Sequence, residues 1–258
     1  GAVEMNKNEW KQNWLSEERA AHIRGWDFSH IDGRYTEETD LPWSYKEVLL
    51  SYLRKDDKLL DTDTGGGEFL LSLRHAANRT SATEGYPPNV ELCKKVLLPL
   101  GVDFREARDY KKLPFDDNTF DVVCSRHGSY EISEIGRVLK KGGIFVTQQV
   151  GEENDRELTE LLLPGTPKPF PGWNLSNQRK NCERAGFSVL DAEEAFRPIL
   201  FFDVGALVWF AKIIEWEFPG FSVEKCIERL LRAQKILENE GCIKGTIHRW
   251  LLTARKNF

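Results

Sequence analysis

Residues 59–70, LLDTDTGGGEFL, constrain the fold of this chain more than any other stretch. Two apolar residues run into Asp61, glycines follow at Gly65, Gly66 and Gly67, and a helical pattern opens at Glu68. Such a run reads as a strand, a tight glycine turn and a helix N-terminus. Without Cβ atoms the turn lets a ligand approach the backbone closely, and the free N–H groups at the helix start face it. A nucleotide-like cofactor suits this turn, but the turn alone does not choose among cofactors, because dinucleotide-binding proteins share it.

Later motifs narrow the choice. RTSATEG reads as a second strand ending in Glu84, 23 residues after Asp61, where a carboxylate can accept both hydroxyls of a ribose. Residues 102–106 read as a third strand with Asp109 just past it, and 120–124 as a fourth. GRVLKKGGIFVTQQV supplies a helix end, a Lys-Lys-Gly-Gly turn and a fifth strand. The ordered set DTDTGGG, LPF, FD and RVLKKGG resembles the class I S-adenosylmethionine (SAM)-dependent methyltransferases, in their type 11 branch, over roughly residues 45–150.

The resemblance implies an α/β fold: a mostly parallel, doubly wound sheet of seven strands in the order 3-2-1-4-5-7-6, the last antiparallel. It implies SAM as cofactor and assigns roles around it. Gly65 and Gly67 would hold the methionyl and ribose region, and Asp61 would orient the methionyl ammonium through the turn. Glu84, with Gly85 beside it, would take the ribose hydroxyls. Asp109 would read the adenine amino group, Tyr110 would pack on the ring, and Ser125 would share the site after the fourth strand.

Asp63 departs from the family pattern, which has glycine there. Its charge either repels the methionyl carboxylate or reaches the methionyl ammonium. At 4–5 Å and an effective dielectric near 20, the repulsion would be roughly 3–4 kcal/mol, two to three decades of affinity. Both outcomes stay open at this level.

Methyl transfer from a sulfonium is an in-line displacement that needs an aligned acceptor and shielding from water. His127, in CSRHGSYE after the fourth strand, is the candidate general base, its alternative being a loop histidine that lines the cofactor. One of Gln148 and Gln149, at the end of the fifth strand, should face the site. Trp10, Trp14, Trp26, Trp43, Trp209 and Trp216 lie outside the motifs. Each reads as core packing, or together they wall an acceptor cavity for an apolar or planar small molecule.

The rest of the chain reads as a frame for this centre. A helix is expected over 6–24, a capped helix at 45–54 behind Ser44, helices at 156–163 and 176–186, and a strand at 187–192. An insertion follows, with an apolar helix capped by Asp203, an amphipathic helix capped by Ser222 and ended by Gly241, and a final strand over 246–256. The expected division is a cap segment at 1–43, a SAM-binding core at 44–197, a helical insertion at 198–241 and a last core strand at 242–258. Residues 6–43 and 198–240 are expected to close over the acceptor. Gly1–Glu4, before Met5, read as an expression-tag remnant.

A chain of 258 residues with 40% hydrophobic content suits one α/β domain with a small cap. Net charge is −5 with no basic run, which disfavours duplex nucleic acid as a partner and favours a small-molecule acceptor. The five cysteines show no metal-binding spacing and read as inert thiols. No apolar run is long enough to span a membrane, so a cytoplasmic location is expected. The rival readings are an RNA or tRNA base methyltransferase, a methyltransferase-fold protein whose cofactor site Asp63 has weakened, and a nicotinamide-dependent dehydrogenase. The last has no role for LPF, FD and RVLKKGG.

Overall fold

A computed structural model describes residues 5–23, 25–37 and 39–258, so Gly1–Glu4 lie outside the described residues, as does Arg24 at the end of the expected first helix. In chain order the elements are α1 (Lys7–Ala20), β1 (Tyr35–Glu37), α2 (Tyr45–Tyr52), β2 (Leu59–Thr62), α3 (Glu68–Ser72), β3 (Thr80–Glu84), α4 (Pro87–Val96), β4 (Asp103–Glu106), β5 (Phe120–Arg126), α5 (Ile132–Val138), β6 (Leu139–Val150), α6 (Arg156–Leu162), α7 (Leu175–Arg184), β7 (Phe187–Phe201), α8 (Val204–Ile213), α9 (Val223–Glu240) and β8 (Ile243–Lys256).

The sheet has eight strands in the order β1-β7-β8-β6-β5-β2-β3-β4, not seven. The additional strand is β1, which pairs antiparallel with the end of β7 through Tyr35↔Phe201 and Glu37↔Ile199. Its polar, turn-flanked sequence gave no strand signal, since the pairing is made by a partner more than 160 residues away. Without β1 the order is the expected one. β2 pairs in parallel with β3 and β5, β5 in parallel with β6, and β8 runs antiparallel to β6.

Two units make up the chain. One comprises Pro42–Gly151, Gly172–Ala195 and Arg249–Phe258; the other comprises Gly1–Leu41, Glu152–Pro171 and Phe196–His248. In the sheet unit, two apolar clusters cover the strands. Leu59, Val122, Val146 and Leu251 gather with Leu49, Cys93 and Leu97 in one. Leu60, Val123, Phe145 and Trp250 gather with Ile135 and Cys182 in the other. Alternation along the strands sends neighbouring residues to the two clusters, and apolar residues on both faces are what a helix-covered parallel sheet requires.

The recognised motifs hold this unit together. Arg137 of RVLKKGG donates to the Leu113 and Phe115 carbonyls of LPF at 2.9 and 2.7 Å, and to Glu134 and Asp117. Asp121 of FD accepts the Lys58 N–H at 2.8 Å and so ties β5 to the start of β2. The Lys-Lys-Gly-Gly turn is absorbed into β6 as a register shift opposite Phe120–Val122, with Gly142 at φ 80.

The helical unit has its own core, with Trp14, Trp209, Phe201, Phe218 and Leu230 all buried. Residues Val204–Ala211 of α8 are buried without a break, which explains a helix apolar all round. The expected caps are present: Ser44, Asp203 and Ser222 each accept the backbone N–H of the third residue on. Beyond the caps expected from the sequence, the structure adds a reciprocal capping box of Asn6 and Glu9 on α1. β7 runs on to Phe201, past the strand end expected at 192, and β8 begins at Ile243.

Candidate functional site

The glycine turn joins β2 to α3 at the carboxyl edge of the parallel strands, where ligands bind in open α/β sheets. Gly65 (φ 68) and Gly67 (φ 83) take left-handed backbone that other residues adopt at a cost. A Cβ on Gly67 would meet Leu97 at 2.9 Å, whereas nothing lies within 4 Å of the position a Gly65 Cβ would take. The turn is therefore packed beneath Gly67 and open above Gly65.

Glu84, at the end of the neighbouring β3, holds this turn. Its Oε1 accepts the Gly65 N–H at 2.9 Å, and its Oε2 accepts the Gly85 and Tyr86 N–H groups at 2.9 and 2.8 Å. Three donors leave part of the carboxylate's acceptor capacity for a ligand. Gly85 has no room for a side chain, since a Cβ there would lie 2.6 Å from the Ala107 carbonyl oxygen.

Asp61 and Asp63 lie behind and beside the turn. Asp61 is buried and accepts from Thr64 Oγ1 at 2.7 Å and from the Cys124 thiol at 3.4 Å. Burial pushes its pKa up to about 6 against the pull of those hydrogen bonds and of the Arg126 charge. Asp63 has φ 53, the left-handed region, which accounts for glycine being the usual residue there and for aspartate being tolerated. Its carboxyl group packs on the next loop: Oδ2 lies 2.8 Å from the place a Cβ on Gly128 would occupy. Burial first, then the charges of Glu84 and Asp61, raise it to about 6.

The thiols near the turn are structural. Cys93 donates to the Gly65 carbonyl at 3.0 Å, and burial pushes its pKa up to about 11. Among the described residues no group of acidic, histidine and cysteine side chains is arranged to hold a metal.

His127 and Gly128 follow β5 on the same edge. His127 has φ 58, and its ring Nε2 lies 3.1 Å from Gln148 Nε2. The surrounding chain, then the charges of Arg249 and Arg126, lower the imidazole pKa, although the residue remains exposed. Gln148 Oε1 accepts the Trp43 indole N–H at 2.8 Å. Gln149 Nε2 donates to the Gly128 carbonyl at 2.8 Å, so both glutamines support this loop and not just one. Ser125 is buried, with its hydroxyl 3.4 Å from the Gly128 carbonyl.

Asp109 is exposed and accepts the Lys111 N–H at 2.9 Å, shaping the turn after β4. Tyr110 is 39% exposed, with Lys111 Nζ 5.9 Å over its ring. The tryptophans separate by role: Trp14 and Trp209 are core, Trp10 stacks on Trp14, and Trp26 stacks on Trp216 with both exposed. Trp43, grouped with them in the sequence, instead serves the sheet unit through Gln148. Its partner is 105 positions away, and no local signal announces such a pair.

Residues 60–147 match the profile of a methyltransferase domain, and these are the residues that build β2 to β6 and the turns just described. Over these residues the chain carries a methyltransferase domain. It is 34% identical over 126 residues to a phthiotriol/phenolphthiotriol dimycocerosates methyltransferase of Mycobacterium tuberculosis, covering 46% of this chain and 44% of that protein. It is 31% identical over 118 residues to the demethylmenaquinone methyltransferase of Thermus thermophilus, covering 42% and 53%. The chain thus spans about half the length of the curated relatives it matches. In fold, the structure of a methyltransferase-like protein from Bacillus halodurans superposes with a TM-score of 0.57 at 19% identity, covering 83% of this chain and 97% of the other. The methyltransferase domain holds Asp61, Asp63, Gly65, Gly67, Glu84, Gly85, Ser125 and His127 on one edge of the sheet.

Proposed function

We propose that the protein transfers a methyl group from SAM to a small-molecule acceptor. The observation that carries this is the Glu84 carboxylate bonded to the Gly65 N–H beside a turn open above Gly65. When bound there, SAM supplies an electrophilic methyl group on a sulfonium. The residues present fit it. Glu84 retains acceptor capacity for the ribose hydroxyls, and Gly65 gives room for backbone approach. Asp109 and Tyr110 offer a carboxylate and a ring face for the adenine. The buried Asp61 carboxylate and the half-buried Asp63 carboxylate favour a cationic ligand over a neutral or anionic one.

The similarity to phthiotriol/phenolphthiotriol dimycocerosates and demethylmenaquinone methyltransferases supports a small-molecule acceptor, as does the lack of a basic run in the sequence. The helical unit, with Trp26 and Trp216 exposed, is our candidate for the part that selects the acceptor. No helix among the described residues is long and apolar enough to cross a membrane.

Calorimetry with SAM tests the reading. SAM should bind the parent protein measurably, and Glu84→Ala should weaken it at least tenfold, since each hydrogen bond to a charged acceptor contributes about 1.5–3 kcal/mol. Equal affinity in the two proteins would reject the role of Glu84. No SAM binding by the folded parent would reject the function.

A further inference from the structure

Three side chains in the sheet unit form a chain of hydrogen bonds whose direction is fixed at one end. The Trp43 indole N–H can only donate. At 2.8 Å it therefore requires the oxygen of the Gln148 amide, since the flipped amide would set two donors against each other. With Oε1 committed to Trp43, Gln148 turns its NH2 group toward His127, and that group also can only donate. His127 Nε2, 3.1 Å away, must then present its lone pair. The ring's proton in the neutral form is left on Nδ1.

The backbone holds the arrangement rigid. Gln148 is buried, its carbonyl accepts the His127 N–H at 2.8 Å, and its neighbour in register across the sheet is Arg126.

We propose that Trp43 and Gln148 are positioning residues that hold His127 as its Nδ1–H tautomer, so that the ring acts in the methyl-transfer site as a hydrogen-bond donor and not as a general base. Its role at that site rests on the function proposed above. Proton acceptance at Nε2 would break the bond from Gln148, and rotating the amide to compensate would break the bond from Trp43. The charges facing the loop act in the same direction, since Arg126 and Arg249 both oppose an imidazolium. A ring of this kind has no lone pair free to take a substrate's proton. The acceptors it suits arrive with an unprotonated nucleophilic atom, as carboxylates and acidic phenols do at neutral pH; aliphatic alcohols and ammonium groups do not.

The test is long-range proton–nitrogen correlation NMR on the full chain labelled at histidine nitrogens, with His127 assigned by its loss in His127→Gln. The parent should show His127 protonated at Nδ1 alone at neutral pH. In Gln148→Glu a carboxylate can accept from both Trp43 and the ring, so the proton should move to Nε2 and the imidazole pKa should rise by about one unit or more. Trp43→Phe frees the amide to rotate and should give a mixture of tautomers, which keeps the proposal testable if Gln148→Glu does not fold. An Nε2–H tautomer in the parent, or an unchanged Nδ1–H tautomer in both folded variants, would overturn it. SAM calorimetry on the same samples reads the function separately: an Nδ1–H tautomer in a protein that binds no SAM would overturn the role in methyl transfer and leave the hydrogen-bond chain standing.

Discussion

Asp63 shows how one side chain can work against the fold that carries it. Its carboxyl pKa is raised from 3.8 to about 6, so the folded protein binds this proton more tightly than the unfolded chain does. A group raised in this way lowers stability as pH climbs through the window between the two values. Asp63→Asn should therefore gain about 1–3 kcal/mol near neutral pH and almost nothing below about pH 4, a contrast that denaturant unfolding at the two pH values would reveal. Glu84 is the opposite case, since its carboxylate satisfies three backbone N–H groups. Beyond its effect on SAM, Glu84→Ala should lower unfolding free energy by about 2–4 kcal/mol, because the turn loses its acceptor. An unchanged melting temperature in Glu84→Ala would show that solvent replaces the carboxylate without loss.

At the scale of elements, the motifs that made the fold legible are mostly fasteners. Arg137 clamps the LPF loop and pairs with Glu134, which is itself nearly buried. Arg137→Ala should cost about 2–4 kcal/mol by chemical denaturation, since it strands the Glu134 carboxylate and two carbonyls. Glu134→Gln should soften that loss, and additive effects of the two changes would contradict the clamp. The strand order from β2 to β8 was legible because each crossover has a local signature: a glycine turn, an acidic strand end, a helix stop. The edge strand β1 and the length of β7 were not, because each is made by pairing distant segments with no apolar alternation of their own. The same limit explains the site. Gly65, Glu84 and Asp63 stand out in the sequence, whereas the partnership of Trp43, Gln148 and His127 exists only once β6 lies beside β5.

On the scale of the whole molecule, the chain builds three apolar clusters from interleaved segments, two on the sheet and one around α8. Trp209 is 1% exposed and packs on Phe28 and His30 at ring separations of 5.4 and 5.3 Å. Trp209→Ala should cost about 3–5 kcal/mol, the range for removing a large buried aromatic. Hydrogen exchange would locate the loss: protection should fall first in α8 and α9, and equal loss across β2, β5 and β6 would mean that the two units unfold as one.

The contact between Asp63 and Gly128 carries an evolutionary consequence. The Asp63 carboxylate occupies the space a side chain at 128 would need, so the two positions are mutually exclusive. Lineages that keep glycine at 63 are free to explore alanine or serine at 128, and those that acquire aspartate are committed to glycine there. The order in which such changes accumulate would then matter. Gly128→Ala should be damaging in this protein yet tolerated once Asp63→Gly is present, a sign epistasis that a four-member thermal-stability cycle would expose.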